Sequence, residues 1–167
     1  MSALERRRSV VIAGHRGAID VVEAHVADLD AHVREAALGA LDRLGALDDA
    51  RLLAACADPS PVVRRRVALI AALRPGVPLT ALLDDPEPSV VEVAAWACGE
   101  HERVDDATLA RLIELATGAG DALVREAAAA ALGAIGDERG LPAILAACDD
   151  KPQVRRRFRR RECTVLC

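Results

Sequence analysis

Aromatic residues are almost absent from this 167-residue sequence, which has one Phe, one Trp and no Tyr. Windows rich in β-branched and aromatic residues are also few, so the signals for β-strands are weak throughout. No run approaches the roughly 18 apolar residues of a membrane span. These absences argue against a β-sandwich, an α/β sheet and a membrane protein, and they favour an all-α protein with a core of Ala, Leu and Val.

Lysine is nearly absent as well, because Arg outnumbers Lys twenty-one to one. Residues 1–150 carry fifteen basic and twenty-five acidic side chains, a balance of −10. Residues 151–167 carry seven basic side chains and one acidic, a balance of +6. Because nucleic-acid binding depends on several Lys or Arg contacts to phosphate, we expect no nucleic-acid partner except through this basic tail.

An internal repeat is the strongest feature of the sequence. Its successive spacings of 30, 28, 33 and 30 residues are typical of a two-helix unit. In the first repeat, apolar residues follow the aligned valine at offsets of 4, 7, 8 and 11, which trace one face of a helix. Five segments align in this way, on Val33, Val63, Val91, Val124 and Val154.

The ends of these long inner helices are also regular. Asp30 and Asp121 are suited to cap their N-termini, and Gly45 and Gly136 stand twelve residues after the aligned valine, where they end the helix. Shorter apolar segments lie between the inner helices and predict the second helix of each hairpin: Ala50–Ala57, Leu79–Leu83, Thr108–Ala116 and Leu141–Cys148, with Leu4–Ala13 and Ile19–Ala27 as the N-terminal hairpin partners.

Residues 121–137 read Asp-x-x-Val-Arg-Glu-Ala-Ala followed by Ala-Leu-Gly-Ala-Ile-Gly-Asp, and residues 90–99 are similar, with Glu92 in place of the Arg. This pattern resembles the HEAT-like repeat of the phycobilisome-lyase type over about residues 18–158. The resemblance implies an α-solenoid, a right-handed superhelix of about ten to eleven helices stacked as hairpins. We expect this solenoid over residues 1–150, and an incomplete last repeat with an atypical basic C-terminal tail over residues 151–167.

Proteins that contain such repeats include lyase subunits, scaffolds and regulators, so the resemblance leaves two functions open. The first is a non-catalytic scaffold that binds a protein through the surface of its inner helices. The alternative is a subunit or relative of a bilin lyase, which acts on a protein-bound chromophore. A third function, like that of HEAT-like alkylpurine DNA glycosylases, needs a basic groove, and the acidic body argues against it. No cofactor is expected.

Five of the candidate partner-binding residues follow from the same alignment, because the residue after each aligned valine is charged in every repeat, Arg in four repeats and Glu in the third. These side chains can pair with acids near the helix starts, such as Asp58 or Asp121, and so tie one hairpin to the next. They can also form a charged stripe that recognises an acidic partner. The only tryptophan can fill the core or anchor a partner. The candidates are Arg34, Arg64, Glu92, Trp96, Arg125 and Arg155.

No metal site is expected. Deoxyhypusine hydroxylases resemble this architecture and hold iron through repeated His-Glu pairs, but the equivalent positions here are Arg-Glu or Arg-Arg. His101 and Glu102 instead fall in a turn after an inner helix, and one pair cannot supply a di-iron site. His15, His25 and His32 are scattered, so we expect them to be solvated or locally hydrogen-bonded.

The five cysteines are odd in number and lie mostly within helical patterns, so we expect reduced thiols and a cytoplasmic protein. Arg6–Arg8 precede only a short apolar segment, so no secretory signal is expected. Cys56 and Cys148 share one repeat position, and Cys98 shares another with apolar residues. All three are therefore expected in the core, and none has the neighbours of a nucleophile.

Overall fold

The computed structural model describes residues 1–149. This part of the chain contains ten α-helices and one turn of 3-10 helix, Glu138–Gly140, and it contains no β-strand. The α-helices in chain order are α1 Ala3–Arg16, α2 Ile19–Glu23, α3 Ala31–Arg43, α4 Asp49–Ala55, α5 Pro61–Ala71, α6 Thr80–Leu83, α7 Pro88–Gly99, α8 Asp106–Gly118, α9 Ala122–Ile135 and α10 Leu141–Ala147.

The chain divides into two compact units, unit 1 from Met1 to Ile70 and unit 2 from Ala71 onward. In unit 1, α1 packs against α3, and the short α2 contacts both helices. In unit 2, α9 packs against both α7 and α8, and α8 also contacts the shorter helices α6 and α10. Long helices therefore pack on long ones within each unit, which confirms the predicted all-α class of stacked hairpins.

Helix ends follow the predicted chemistry. The carboxylates of Asp30 and Asp121 accept hydrogen bonds from backbone N–H groups in the first turns of α3 and α9, which cap those helices. Gly17, Gly45 and Gly136 have φ angles of 74°, 67° and 72°. Because side chains disfavour that left-handed conformation, these glycines stop α1, α3 and α9 where the sequence requires a turn.

The aligned valines of the described repeats form the core, because Val33, Val63, Val91 and Val124 are all buried. The apolar positions that follow them are buried as well, including Ala40 and Leu41 in α3 and Ala131 and Leu132 in α9. The 3.6-residue periodicity predicted this face, and small alanines on it let the helices pack closely.

Two glycines bring neighbouring long helices close together. A Cβ atom placed on Gly99 of α7 would lie 2.9 Å from the Cα of Ala131 in α9. In unit 1, a Cβ atom on Gly14 of α1 would lie 2.8 Å from the Cβ of Ala40 in α3. Both distances are shorter than packed carbon atoms allow, so each glycine is needed for its helix pair to approach this closely.

The structure differs from the sequence prediction at α1, which has the position of an inner helix and not that of a hairpin partner for the first repeat. It packs against α3 as α7 packs against α9. Arg6 of α1 pairs with Asp28 as Arg34 of α3 pairs with Asp58. The alignment missed this additional repeat because Glu5 stands where the other repeats have valine.

Candidate interaction surface

The arginine after the aligned valine makes the same backbone contact in three repeats. Its Nη1 donates to carbonyl oxygens five or six residues earlier, in the turn that leads into its own helix. These hydrogen bonds fix the turn because the carbonyl groups there have no partner within a helix. The distances are 2.8 Å and 3.2 Å from Arg34 to Asp28 and Leu29, 2.8 Å from Arg64 to Asp58, and 2.7 Å and 3.2 Å from Arg125 to Ala119 and Gly120.

Arg34 also joins one hairpin to the next. Its Nε and Nη2 donate to the two carboxylate oxygens of Asp58 at 2.8 Å and 2.7 Å, and the two side chains are only 14% and 12% exposed. The sequence predicts Asp58 as an acid that pairs with one of the repeated arginines, and the structure shows that this arginine is Arg34 of the preceding repeat. A planar guanidinium suits the bidentate pair. Arg6 and Asp28 repeat it at 2.6 Å and 2.8 Å.

These pairs stabilise the ionised forms of the aspartates. The hydrogen bond from Arg6 lowers the pKa of Asp28 from 3.8 to about 2, with help from the backbone N–H of Asp30. Burial opposes ionisation of Asp58, but the hydrogen bonds from Arg34 and from the Ser60 N–H outweigh that burial and lower its pKa. Both carboxylates are therefore charged at neutral pH, and both hold a turn between hairpins.

The six predicted partner-binding residues separate into three groups. Arg34, Arg64 and Arg125 direct their Nη1 groups to the backbone of their own turns, so much of their donor capacity is used within the chain. Arg155 lies outside the described residues, as does the predicted tail over residues 151–167. The other two candidates, Glu92 and Trp96, lie on α7.

Trp96 lies on α7 and is 38% exposed. The same repeat position holds Leu38, Ala68 and Ala129 in other inner helices, and all three of those side chains are buried. The indole is therefore larger than the position it occupies, and part of it reaches the surface. Glu92, one turn earlier on the same helix, is half-buried. Together they place an aromatic and an acidic side chain on one inner helix.

A buried carboxylate in unit 1 was not found by the alignment. Glu35 of α3 is buried and accepts a hydrogen bond from the Nε of Arg66 in α5 at 2.6 Å, and the Nη2 of Arg66 also contacts it. The Nη2 of Arg7 in α1 lies 3.7 Å from its other oxygen. The sequence signal is the triplet Val-Arg-Glu, which recurs at residues 124–126 with Glu126 again buried.

The histidines differ in their surroundings. His25 is bound locally, since its Nδ1 lies 2.9 Å from the carbonyl oxygen of Val21. His15 and His32 are exposed. His101 is buried, and its Nε2 donates to the carbonyl oxygen of Ala71 at 2.9 Å, so this side chain holds a turn. Within residues 1–149, no three His, Cys, Asp or Glu side chains are grouped as metal ligands.

The cysteine predictions were right for one residue and wrong for another. Cys98 is buried as expected, and burial raises the pKa of its thiol to about 12, which leaves it unreactive at neutral pH. Cys148 is exposed and Cys56 only half-buried, because the short helices that carry them are covered on one side only. Each thiol donates to the carbonyl oxygen of the residue four positions earlier.

The layered hairpins and the repeated arginine contacts define the class of protein, an all-helical α-solenoid. Residues 77–160, which are half of the chain, match a family model described as HEAT repeats. The chain therefore belongs to the HEAT repeat family. A search of curated proteins found no match. Among the described residues, the helices are too short or too polar for any of them to cross a membrane.

Proposed function

We propose that this protein is a non-catalytic scaffold that binds a partner protein through the surface of its inner helices, which are α1, α3, α5, α7 and α9. The observation that carries this proposal is Trp96, a tryptophan that stays 38% exposed at a repeat position that is otherwise buried. Tryptophan is enriched among the residues that dominate binding energy at protein interfaces. HEAT repeats commonly serve as protein-interaction scaffolds, which agrees with this function.

The six predicted residues have different roles in this proposal. Trp96 and Glu92 on α7 contact the partner. Arg34, Arg64 and Arg125 fix the turns that lead into α3, α5 and α9, through the backbone contacts described above. Arg155 lies outside the described residues and stays a predicted partner contact. Turns fixed in this way favour a rigid inner surface within each unit, and rigid surfaces lose little conformational entropy on binding.

Affinity capture with three forms of the chain tests the proposal. The wild type is compared with Trp96→Ala, which truncates the inner surface, and with Leu145→Ala, which truncates an exposed side chain of similar character on the short helix α10. The proposal expects one partner to be recovered at equal yield by the wild type and Leu145→Ala, and at much lower yield by Trp96→Ala.

Three results would count against the scaffold. One is loss of the partner with Leu145→Ala alone, which would move the binding surface to the short helices. Another is a change in chromophore absorbance when the purified protein is mixed with a bilin and its apoprotein, which would favour the lyase alternative. Stoichiometric iron in the purified protein would contradict a non-catalytic function as well.

A further inference from the structure

The inner helices of unit 1 carry most of its positive charge. Residues 1–70 as a whole are balanced, with ten basic and ten acidic side chains, while residues 71–150 have five basic and fifteen acidic side chains. Nine of the ten arginines of unit 1 lie on its three inner helices, which carry only three acids. Most of the acidic side chains of the chain therefore lie outside these three helices.

Three of these arginines converge on one region of α3, and we refer to Arg7, Arg43 and Arg66 as the arginine cluster. Guanidinium atoms of Arg66 and Arg43 lie 3.6 Å and 3.7 Å from the point that a Cβ on Gly39 would occupy. Arg43 also reaches to within 3.4 Å of the corresponding point on Gly14. The absence of side chains at Gly14 and Gly39 leaves room for these guanidinium groups.

The cluster has more positive charge than its surroundings neutralise. Glu35 is the one carboxylate paired with it in the described residues, and it is shared by Arg66 and Arg7. No ion pair of Arg43 is found within residues 1–149. The Arg7 and Arg66 side chains are 48% and 36% exposed, so their free donors face solvent. Like charges held this close favour a bound anion.

We propose that the arginine cluster binds a short acidic segment of the partner protein, so that the carboxylates of that segment complete the ion pairs that Glu35 alone cannot. This inference rests on the proposed scaffold function and adds the chemistry of the partner. Arginine suits the task because its planar fork binds a carboxylate through two parallel hydrogen bonds.

The size of the cluster favours a peptide over a nucleic acid. From Glu35 to Arg43 along α3 is eight residues, or about 12 Å at 1.5 Å per residue. An extended peptide covers that length with about four residues, enough for two carboxylates. A nucleic acid needs a longer row of basic side chains to contact its phosphates. Residues 71–150, with a net charge of −10, do not favour such contacts.

Fluorescence anisotropy with a short labelled peptide of alternating Glu and Ser tests this site on the full chain. The matched peptide of alternating Gln and Ser controls for backbone and length. Arg43→Gln removes a guanidinium with no ion-pair partner in the described residues, and Arg8→Gln is its control, an exposed arginine of α1 outside the cluster. Far-ultraviolet circular dichroism and thermal unfolding confirm that both variants fold.

We expect the Glu peptide to bind, with affinity that falls as salt is added, and the Gln peptide not to bind. Arg43→Gln weakens binding about tenfold, as expected for a charge-assisted hydrogen-bond pair, and Arg8→Gln leaves it unchanged. Equal binding by both variants, or no binding of the Glu peptide by the wild type, would overturn the site.

Binding of other anions shows whether the arginine cluster prefers an acidic peptide. If inorganic phosphate displaces the Glu peptide at equal concentration, or if a DNA duplex binds more tightly than the peptide, the acidic-peptide assignment is wrong. If the wild type does not bind the Glu peptide while partner capture still depends on Trp96, this inference is wrong and the scaffold function is unaffected.

Discussion

At the scale of single residues, the repeated arginine is the feature that connects sequence to structure. Arg34 uses Nε and Nη2 on Asp58 and Nη1 on two carbonyl groups. Only a guanidinium presents enough donors in a fixed plane to make both contacts at once. A lysine ammonium has the charge but not this geometry, so charge alone does not explain why arginine occupies the position.

Arg34→Lys therefore tests geometry while keeping the charge. We expect it to lower the free energy of unfolding by about 1–3 kcal/mol, because charge-assisted hydrogen bonds are lost from a largely buried pair. Arg65→Lys, at an exposed arginine of α5, is the control and should change stability little. Chemical denaturation measures both, and equal effects would show that the pair with Asp58 contributes nothing.

The pKa of Asp28 predicts a dependence on pH. Because its folded-state pKa is about 2 against an ordinary value of 3.8, its ionised form stabilises the fold fully above about pH 4, and the stabilisation is lost as the pH falls through about 2. Asp28→Asn should be less stable than the wild type at pH 7. Its disadvantage should shrink from about pH 4 to about pH 2, as measured by denaturation at each pH.

A stability difference between Asp28→Asn and the wild type that stays constant over this range would contradict the pairing of Asp28 with Arg6.

The sequence could predict that the repeated arginines pair with acids near helix starts, such as Asp58, because the repeat brings both residue types back at a regular spacing. It could not predict that Arg43 and Arg66 converge on Gly39, because that depends on how closely α3 and α5 pack and on the rotamers of two long side chains. Apolar spacing identifies the buried face of a helix but fixes neither of these.

At the scale of helices, the sequence predicted starts and stops well because caps are local. The helices α3 and α9 begin just after Asp30 and Asp121, and a left-handed glycine follows each of them. The role of α1 was missed because the alignment required a valine. A second signal was present, since arginine and glycine are eleven residues apart at Arg6 and Gly17, as they are in α3 and α9.

Gly99 tests the close packing of α7 on α9. Gly99→Ala should lower the free energy of unfolding by about 1–3 kcal/mol, because its methyl group would meet the backbone of Ala131 at 2.9 Å. Gly133→Ala is the matched control within α9, where a Cβ meets nothing within 4 Å, and it should stabilise the chain by about 0.5–1 kcal/mol through helix propensity.

Thermal or chemical unfolding distinguishes these two glycine variants by the sign of the change. If Gly99→Ala were as well tolerated as Gly133→Ala, the two long helices would be farther apart than the structure places them.

Leu132→Ala, at a fully buried position of α9, shows how large the effect of a core defect is. It should lower the free energy of unfolding by about 2–5 kcal/mol.

At the scale of the whole molecule, charge is segregated along the chain. Residues 1–70 have equal numbers of basic and acidic side chains, and the inner helices among them are basic. Residues 71–150 have a net charge of −10, and residues 151–167 have a net charge of +6. A single net charge of −4 conceals this pattern. The sequence predicted the acidic body and the basic tail, but the basic inner surface of unit 1 required helix boundaries, because its arginines are interspersed with acids that lie in turns and on short helices.

The central claim is that the inner helices form the surface that binds a partner. Hydrogen exchange of backbone amides, measured on the free chain and on its complex with the captured partner, tests it most directly. We predict slower exchange on binding in the inner helices α1, α3, α5, α7 and α9, with little change in α4, α8 and α10. Slower exchange confined to α4, α8 and α10 would contradict the claim.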